Sequence, residues 1–442
     1  MSLKPGQKET LRRYAGHTWA SLAAMTNPDN GLPADHLRAD GETGAQTSIS
    51  DIGALLWSLL VATRLDLLPR TEAFDRLEQI LRTLSRLERH QATGQFYNWY
   101  DQVSGAKSCQ ESLLSSVDNA WLATGLRVVA AGFLEGSPVA KTLIRSMNFG
   151  CYYQPNFNQL AVYYDPAAPA ASPCYDTIVS ESRMATYLGI TTGRVPGRAY
   201  FGPWRTFPEN YVRHTQRGRP VGYPRTYLGV EVFEGAYQYN KSRIVPSWDG
   251  SMFEALMPSL FVPEEKWGTR SWVHNHRLTV EAQIYYGLYE RATGYWGFSA
   301  ANKPEGGYEP AGVPSIGMRP LESIALEALG VEPVEGLGNV VTPHASFLAL
   351  RWAPAAALAN LAKLEHNFPI YDQWGFHDSV NVRTGIVSAF YLALDQGMIM
   401  GAIGNALVRD LLRRAFVTPR VRSTLKPLLA LEEFNVGYDP VD

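Results

Sequence analysis

FDRLEQILRTLSRL, residues 74–87, sets the fold class: Phe74, Leu77, Ile80, Leu81, Leu84 and Leu87 follow one another at 3-3-1-3-3 spacing, which draws one apolar stripe down a 3.6-residue helix. Charged and polar residues fill the opposite face, so this helix rests on a core with one side in water. The same period recurs over 8–25, 50–65, 117–133, 138–148, 177–190, 251–260, 271–291, 321–329, 343–352, 355–364, 384–394 and 398–415. Start signals accompany it, since Thr47-Ser48 before DIGALLW and Ser115-Ser116 before VDNAWL supply N-cap hydroxyls. In 150–174 and 195–247, Tyr, Val and Phe alternate between Gly and Pro turns, which predicts hairpins inserted between helices. About a dozen helices without βαβ alternation, and without a Pro-, Gly- or Ser-rich linker, predict an all-α chain. The expected architecture is a single (α/α)6 barrel domain over residues 1–442 with β-hairpin insertions.

Composition narrows the function classes. Hydrophobic residues make up 45% of the 442 and charged residues 19%, enough for a large core. A net charge of −2, without a basic run, argues against nucleic-acid binding. No stretch approaches the ~20 apolar residues of a membrane span, because Arg64 and Asp66 interrupt ALLWSLLVATRLDLL. The N-terminus MSLKPGQKETLRRYAG lacks the apolar segment of a signal peptide, so the location stays open: cytoplasmic for the sequence as it stands, secreted or periplasmic if an N-terminal signal was removed. Cys109, Cys151 and Cys174 lack metal-ligand spacing, so neither a metal nor a cofactor is expected; a Cys151–Cys174 disulfide remains open.

The chemistry-bearing residues are acids set among aromatics. Asp101 follows Tyr97 and Trp99 in FYNWYD; Asp118 lies in SSVDNAWL, Glu181 in SESRMATYLG, Asp249 beside Trp248 in SWDGSMFE, and Asp378 beside His377 in WGFHDSVN. Sugars have apolar C–H faces that stack on rings and hydroxyl rims that need polar partners. Glycoside cleavage also needs two carboxyl groups of unlike acidity. Each acid read alone fits a helix cap or turn equally well; the grouping favours a glycan site. Asp51, Asp118, Asp249 and Asp395 stand at ends of predicted inner helices, where loops of a barrel gather, and the helix dipole is expected to lower their pKa values. His90 and His344 read as structural histidines.

TSISDIG (47–53), GQFYNWYD (94–101), SSVDNAWL (115–122), YDTIVSESRMATYLGI (175–190), YFGPWRT (200–206), SWDGSMFEALMPSL (247–260), YWGFSAANKPEGGY (295–308), VVTPHASFLAL (340–350), WGFHDSVN (374–381) and LDQGMIM (394–400) occur in order along the chain. With them the sequence resembles the glucoamylase-like domain family of bacterial carbohydrate enzymes, which is related to inverting endo-β-1,2-glucanases and to domains of cyclic β-1,2-glucan synthases. The resemblance implies an (α/α)6 fold and hydrolysis of a glycosidic bond, with Glu181 as general acid. It further implies that Asp118 lines the substrate site and that Asp378 or Asp395 is the base. One departure is Gly404-Asn405, where many relatives carry Glu-Asn.

The apolar neighbours of Glu181 suit an acid of raised pKa. Tyr97, Trp99, Trp204, Trp248 and Trp296 are the stacking candidates, Arg205 a candidate for substrate hydroxyls or for holding Glu181, and His377 a candidate for orienting water. Asp51, Asp101 and Asp249 complete the expected substrate-binding set, and Asp249 ranks third for the base. The expected partner is an oligo- or polysaccharide, with β-1,2-glucan favoured. A non-catalytic sugar-binding protein or a glycoside phosphorylase is the alternative; a uronate lyase would want grouped His and Arg, which the nine histidines do not form.

Overall fold

The computed structural model describes residues 3–108, 112–133, 137–168, 172–207, 220–318 and 337–438. Its helices are α1 (Pro5–Met25), α2 (Ile49–Arg64), α3 (Arg70–Leu84), α4 (Ser116–Gly132), α5 (Ser137–Ser146), α6 (Arg183–Thr192), α7 (Met252–Leu256), α8 (Glu264–Trp267), α9 (Trp272–Tyr285), α10 (Pro343–Leu348), α11 (Pro354–Asn367), α12 (Ala393–Leu407), α13 (Leu411–Phe416) and α14 (Pro419–Leu431). The chain is helix-rich, and its strands are short ribbons beside the helix ends.

The helices form an inner and an outer set. α2 packs between α4 and α12, α4 meets α6, α7 meets α10, and α10 meets α12. Arg183 of α6 bridges to α7 by donating to the Glu254 and Ala255 carbonyls at 2.8 and 2.7 Å, which completes a ring. Outside it, α1 lies on α12 and α2, α3 on α2, α5 on α4, α14 on α6, α9 on α7, and α11 on α10. Burial follows position. α2 is buried from Ile49 to Ala62, whereas α3 buries only Ala73, Leu77, Ile80, Leu81 and Leu84, the stripe read from its sequence.

Small residues let the inner helices approach. A Cβ on Gly53 would lie 2.5 Å from the Trp121 carbonyl oxygen, and one on Gly125 would lie 2.5 Å from that of Gly53, so the α2–α4 contact is closed to any side chain there. On the other side of α2, Trp57 donates its indole N–H to the Gly397 carbonyl at 2.8 Å. Gly404 is pressed on Val61, with only 2.6 Å for a Cβ. A glutamate could not be housed there, which accounts for the departure from the Glu-Asn pair; Asn405 instead ties Leu260 and Leu412.

Several sequence expectations are corrected. The stretch expected as helix from 177 instead makes β-bridges at its start, where the β-branched Thr177 and Val179 pair with Trp204 and Ser247, then turns over 180–182, and the helix begins only at Arg183. Residues 384–394 hold a turn and the strand Phe390–Leu392. The helix expected over 398–415 starts at Ala393 and stops at Leu407, before Arg409 and Asp410 enter the left-handed region. α14, with Pro427 inside it, was not anticipated. Hairpins do occupy 195–247, as Pro224–Tyr227 with Val230–Phe233 and Tyr237–Tyr239 with Ser242–Ile244. The 150–174 segment holds a 3-10 turn and two-residue strands. Cys151 and Cys174 are free thiols, and burial pushes the Cys151 thiol up to about 12; Cys109 and the helix expected over 321–329 lie outside the described residues. Among the described residues no helix is long and apolar enough to cross a membrane.

Candidate active site

Each helix of the inner ring has a titratable side chain in its first turn or just ahead of it. Asp51, Asp118, Glu254 and Asp395 are the third residues of α2, α4, α7 and α12; His344 is the second of α10, and Glu181 lies two residues ahead of α6. Helix starts carry unpaired N–H groups, and an acid at the third position reaches back to one of them. Asp51 accepts from the Ser48 N–H at 3.0 Å and its hydroxyl at 2.7 Å. Glu254 accepts from the Asp249 N–H at 2.9 Å and from the Ser251 N–H at 3.4 Å.

Burial raises the carboxyl pKa values of Asp51, Asp118, Glu181, Glu254 and Asp378 above their ordinary range and brings Asp395 to about 6. Neighbouring charge adds to it, from Asp35 at Asp51, Asp249 at Glu254 and Asp395 at Asp378. The expected lowering by the helix dipole is therefore overturned: a dipole at a helix end is a modest effect, and removing an anion from water costs more.

Glu181 stays half-buried and accepts from the Ser180 hydroxyl at 3.2 Å. Its pKa rises chiefly through burial. Arg183, whose charge lowers the pKa, is committed elsewhere, since it bonds to Glu264 at 2.7 and 3.0 Å. A carboxyl in that setting holds its proton to higher pH than a free glutamate does, which suits a proton donor.

Asp378 and Asp395 form the other pole. Their carboxyl groups lie close together, and the charge of Asp395 adds to the burial that raises the Asp378 pKa. Asp378 Oδ2 accepts from the Asn302 N–H, while Asp378 Oδ1 and Asp395 Oδ2 have no hydrogen-bond partner. His344, 1% exposed, lies with Nδ1 3.2 Å from Asp395 Oδ2 and makes no hydrogen bond at either ring nitrogen; burial draws its pKa down to about 4, so it is neutral. Donor atoms of His344, Asp378 and Asp395 all lie within 4.8 Å of one another, a spacing that a small divalent ion would also fit.

Asp118 is half-buried and is wired to an aromatic. With the Asn98 amide oriented by its neighbours, Asn98 Nδ2 donates to Asp118 Oδ2 at 3.0 Å and its oxygen accepts from Trp99 Nε1 at 3.2 Å. Tyr97 is also half-buried, with Lys107 4.2 Å over its ring. Trp248 and Asp249 are half-buried immediately before α7. The Trp204 backbone is bonded to Asp176 and Ile178, on the strand leading to Glu181.

Four expected site residues have structural work instead. Arg205 is fully buried, bonds to Glu432, and lies 3.8 Å from Glu234, so it neither meets solvent nor holds Glu181. Asp101 caps its own turn by accepting from the Ser104 N–H and hydroxyl, both at 2.7 Å. Trp296 is 2% exposed and fixed on both backbone sides by Asn360. His377 is saturated by the Ser388 carbonyl at 2.8 Å and the Tyr391 hydroxyl at 2.7 Å, leaving no nitrogen for water.

Three residues at the site were not singled out from sequence. Glu254 was signalled only by its capping spacing from Ser251. Tyr175 is half-buried with a phenol pKa raised by burial and then by the charges of Glu181, Asp118 and Glu254. Tyr308 is raised by burial and then by Asp395, Asp378, Glu181 and Glu254, yet is 56% exposed. The exposed ring therefore lies within electrostatic reach of both carboxyl poles.

Residues 221–419 match the family model Glycoamylase, whose description reads "Putative glucoamylase", and residues 13–148 match a model described as a protein of unknown function (DUF3131). The chain is 28% identical over 295 residues to the cyclic β-(1,2)-glucan synthase NdvB of Rhizobium meliloti, covering 63% of this chain and 9% of that protein. It thus spans less than a tenth of that relative's length. An endo-β-1,2-glucanase from Chitinophaga pinensis, solved with sophorotriose and glucose, superposes with a TM-score of 0.73 at 16% identity, covering 97% of this chain and 98% of that one. An endo-β-1,2-glucanase variant from Talaromyces funiculosus bound to β-1,2-glucan gives 0.70 at 12% identity, covering 98% and 91%. At these identities the likeness establishes a common fold.

Proposed function

We propose that the protein is a glycoside hydrolase that cleaves a glucan, β-1,2-glucan in preference, with inversion at the anomeric carbon. In this reading the inner ring is an (α/α)6 barrel formed by one domain spanning the chain. Glu181 protonates the departing glycosidic oxygen, and the Asp378–Asp395 pair, carrying one negative charge, takes the proton of the attacking water. Asp118, Asp51, Trp99, Tyr97, Trp204, Trp248 and Asp249 surround the sugar. The observation that carries the reading is that a half-buried Glu181, its pKa raised by burial, and the adjacent Asp378 and Asp395 carboxyls all act on one phenol, Tyr308. Two carboxyl poles of unlike protonation on either side of a cavity are what acid-and-base cleavage of an acetal needs. The architecture common to the endo-β-1,2-glucanases and the similarity to the glucan synthase support the glucan class.

The test is product analysis on linear β-1,2-glucan, an α-glucan and a mixed glycan panel, with and without phosphate. Reducing-end release from β-1,2-glucan without phosphate is expected. Turnover that requires phosphate would make the protein a phosphorylase, and binding without turnover would make it a sugar-binding protein.

A further inference from the structure

Tyr308 belongs to a hairpin in which Ala301–Asn302 pairs with Tyr308–Glu309, with Asn302 directly opposite Tyr308. Opposed residues in such a pair hold their Cβ atoms about 4.5–5.5 Å apart. The turn is tight, with Gly306 and Gly307 at φ 96° and 87°, and a Lys303–Glu309 ion pair at 3.1 Å ties its two arms. Its root is bonded to the acid pair's own loop: the Asn302 N–H donates to Asp378 Oδ2, the Ser379 hydroxyl donates to the Asn302 carbonyl, and the Ser388 hydroxyl donates to Asn302 Oδ1 at 3.3 Å. The Tyr308 side chain, by contrast, makes no hydrogen bond and no ring contact among the described residues; it is 56% exposed, on the hairpin whose Asn302 is bonded to Asp378. A large ring held by a braced backbone, with its face and hydroxyl both unspent, fits an apolar and hydroxylated ligand.

We propose that Tyr308 is a sugar-binding platform whose ring packs on a pyranose lying between Glu181 and the Asp378–Asp395 pair, with its hydroxyl bonding that sugar's rim. The geometry makes it a part of the substrate site that ring-rich sequence motifs do not mark, since Tyr308 follows two glycines and not another aromatic. Because Asn302 is shared, a sugar pressing on Tyr308 also steadies the Asp378 carboxyl. The proposal rests on the glycoside-hydrolase reading for its kinetics, though not for its binding measurement.

Tyr308→Ala and Tyr308→Phe in the full chain test it, with KM and kcat on β-1,2-glucan and calorimetric binding of a β-1,2-linked glucose trisaccharide to Glu181→Gln with and without Tyr308→Ala. Loss of a stacked ring is worth about a three- to tenfold change in affinity. Tyr308→Ala is expected to raise KM and the trisaccharide Kd by that factor, while Tyr308→Phe keeps most of the binding. The melting midpoint should hold in both, since the side chain is 56% exposed and makes no hydrogen bond or ring contact among the described residues. Unchanged KM and Kd in Tyr308→Ala would overturn the proposal, and so would a fall in kcat alone. If the wild type cleaves no glycan, the hydrolase reading fails by itself. Trisaccharide affinity, measured in the same proteins, then decides the platform: a loss with Tyr308→Ala upholds it, and equal or absent binding overturns it.

Discussion

Asp378 and Asp395 bring carboxyl oxygens within 4.8 Å of each other, although one precedes the strand Phe390–Leu392 and the other follows it. The loop that turns between them returns along itself, with the Asp378 N–H donating to the Phe390 carbonyl at 2.9 Å. Two acids this close influence each other's titration, and the proposed mechanism uses the pair with one negative charge.

The pair and Glu181 set opposite limbs of the pH profile. The base must be ionised, so activity is lost as pH falls through the region near 6 where Asp395 takes up its proton. Glu181 must be protonated, so activity is lost again as pH rises through its raised pKa. A bell-shaped kcat is expected. Asp378→Asn and Asp395→Asn should each lower kcat by about 10²-fold or more. A flat profile from pH 5 to 8, or a pair variant with wild-type kcat, contradicts the assignment.

Stability has its own pH signature at Glu264, which accepts from Arg183, from the Tyr187 hydroxyl at 2.7 Å and from His276 at 2.9 Å. Although burial opposes it, the Arg183 charge and the His276 hydrogen bond hold this carboxyl at about 2. A depressed pKa contributes stability that is full above the unfolded value near 4.3 and lost as pH falls through about 2. Glu264→Gln should cost about 3–5 kcal/mol at pH 7, as breaking a buried pair does. Denaturant titrations should show the gap to wild type narrowing as pH drops below 4. A constant gap would deny the carboxylate its role.

The tryptophans separate by burial. Trp99→Ala should weaken glycan binding and leave the melting midpoint nearly in place, because the ring is half-buried and its N–H reaches Asp118 through Asn98. Trp296→Ala should cost about 3–5 kcal/mol of stability, as removal of a core Trp does. Thermal unfolding and calorimetry on the same two variants check both; the reverse pattern would exchange their places.

Helical period was legible in the sequence because burial on one face leaves a stripe, as in α3, and the N-caps of α2 and α4 were legible because Ser48 and Ser115 are short-range signals. α14 was hidden by Pro427, and the start of α6 by β-branched residues that pair with segments far along the chain. At the site, Glu181, Asp378 and Asp395 stood out from motif strings. What strings cannot carry is company. Arg205 looks like a sugar-binding arginine until Glu432 meets it, and His344 looks structural until both its nitrogens are found empty beside two acids. The sign of the pKa shifts was misread for the same reason, since the depth that dehydrates Asp118 is a property of the whole ring.

The central claim is that Glu181 delivers the proton for an inverting hydrolysis. Proton NMR of β-1,2-glucan during the first turnovers reads the new reducing end before mutarotation, with Glu181→Gln alongside. The account predicts α-anomer first from the wild type, and a loss of about 10²–10⁴-fold in the variant with trisaccharide binding retained. A first-formed β-anomer, or a Glu181→Gln enzyme that still turns over at the wild-type rate, would contradict it.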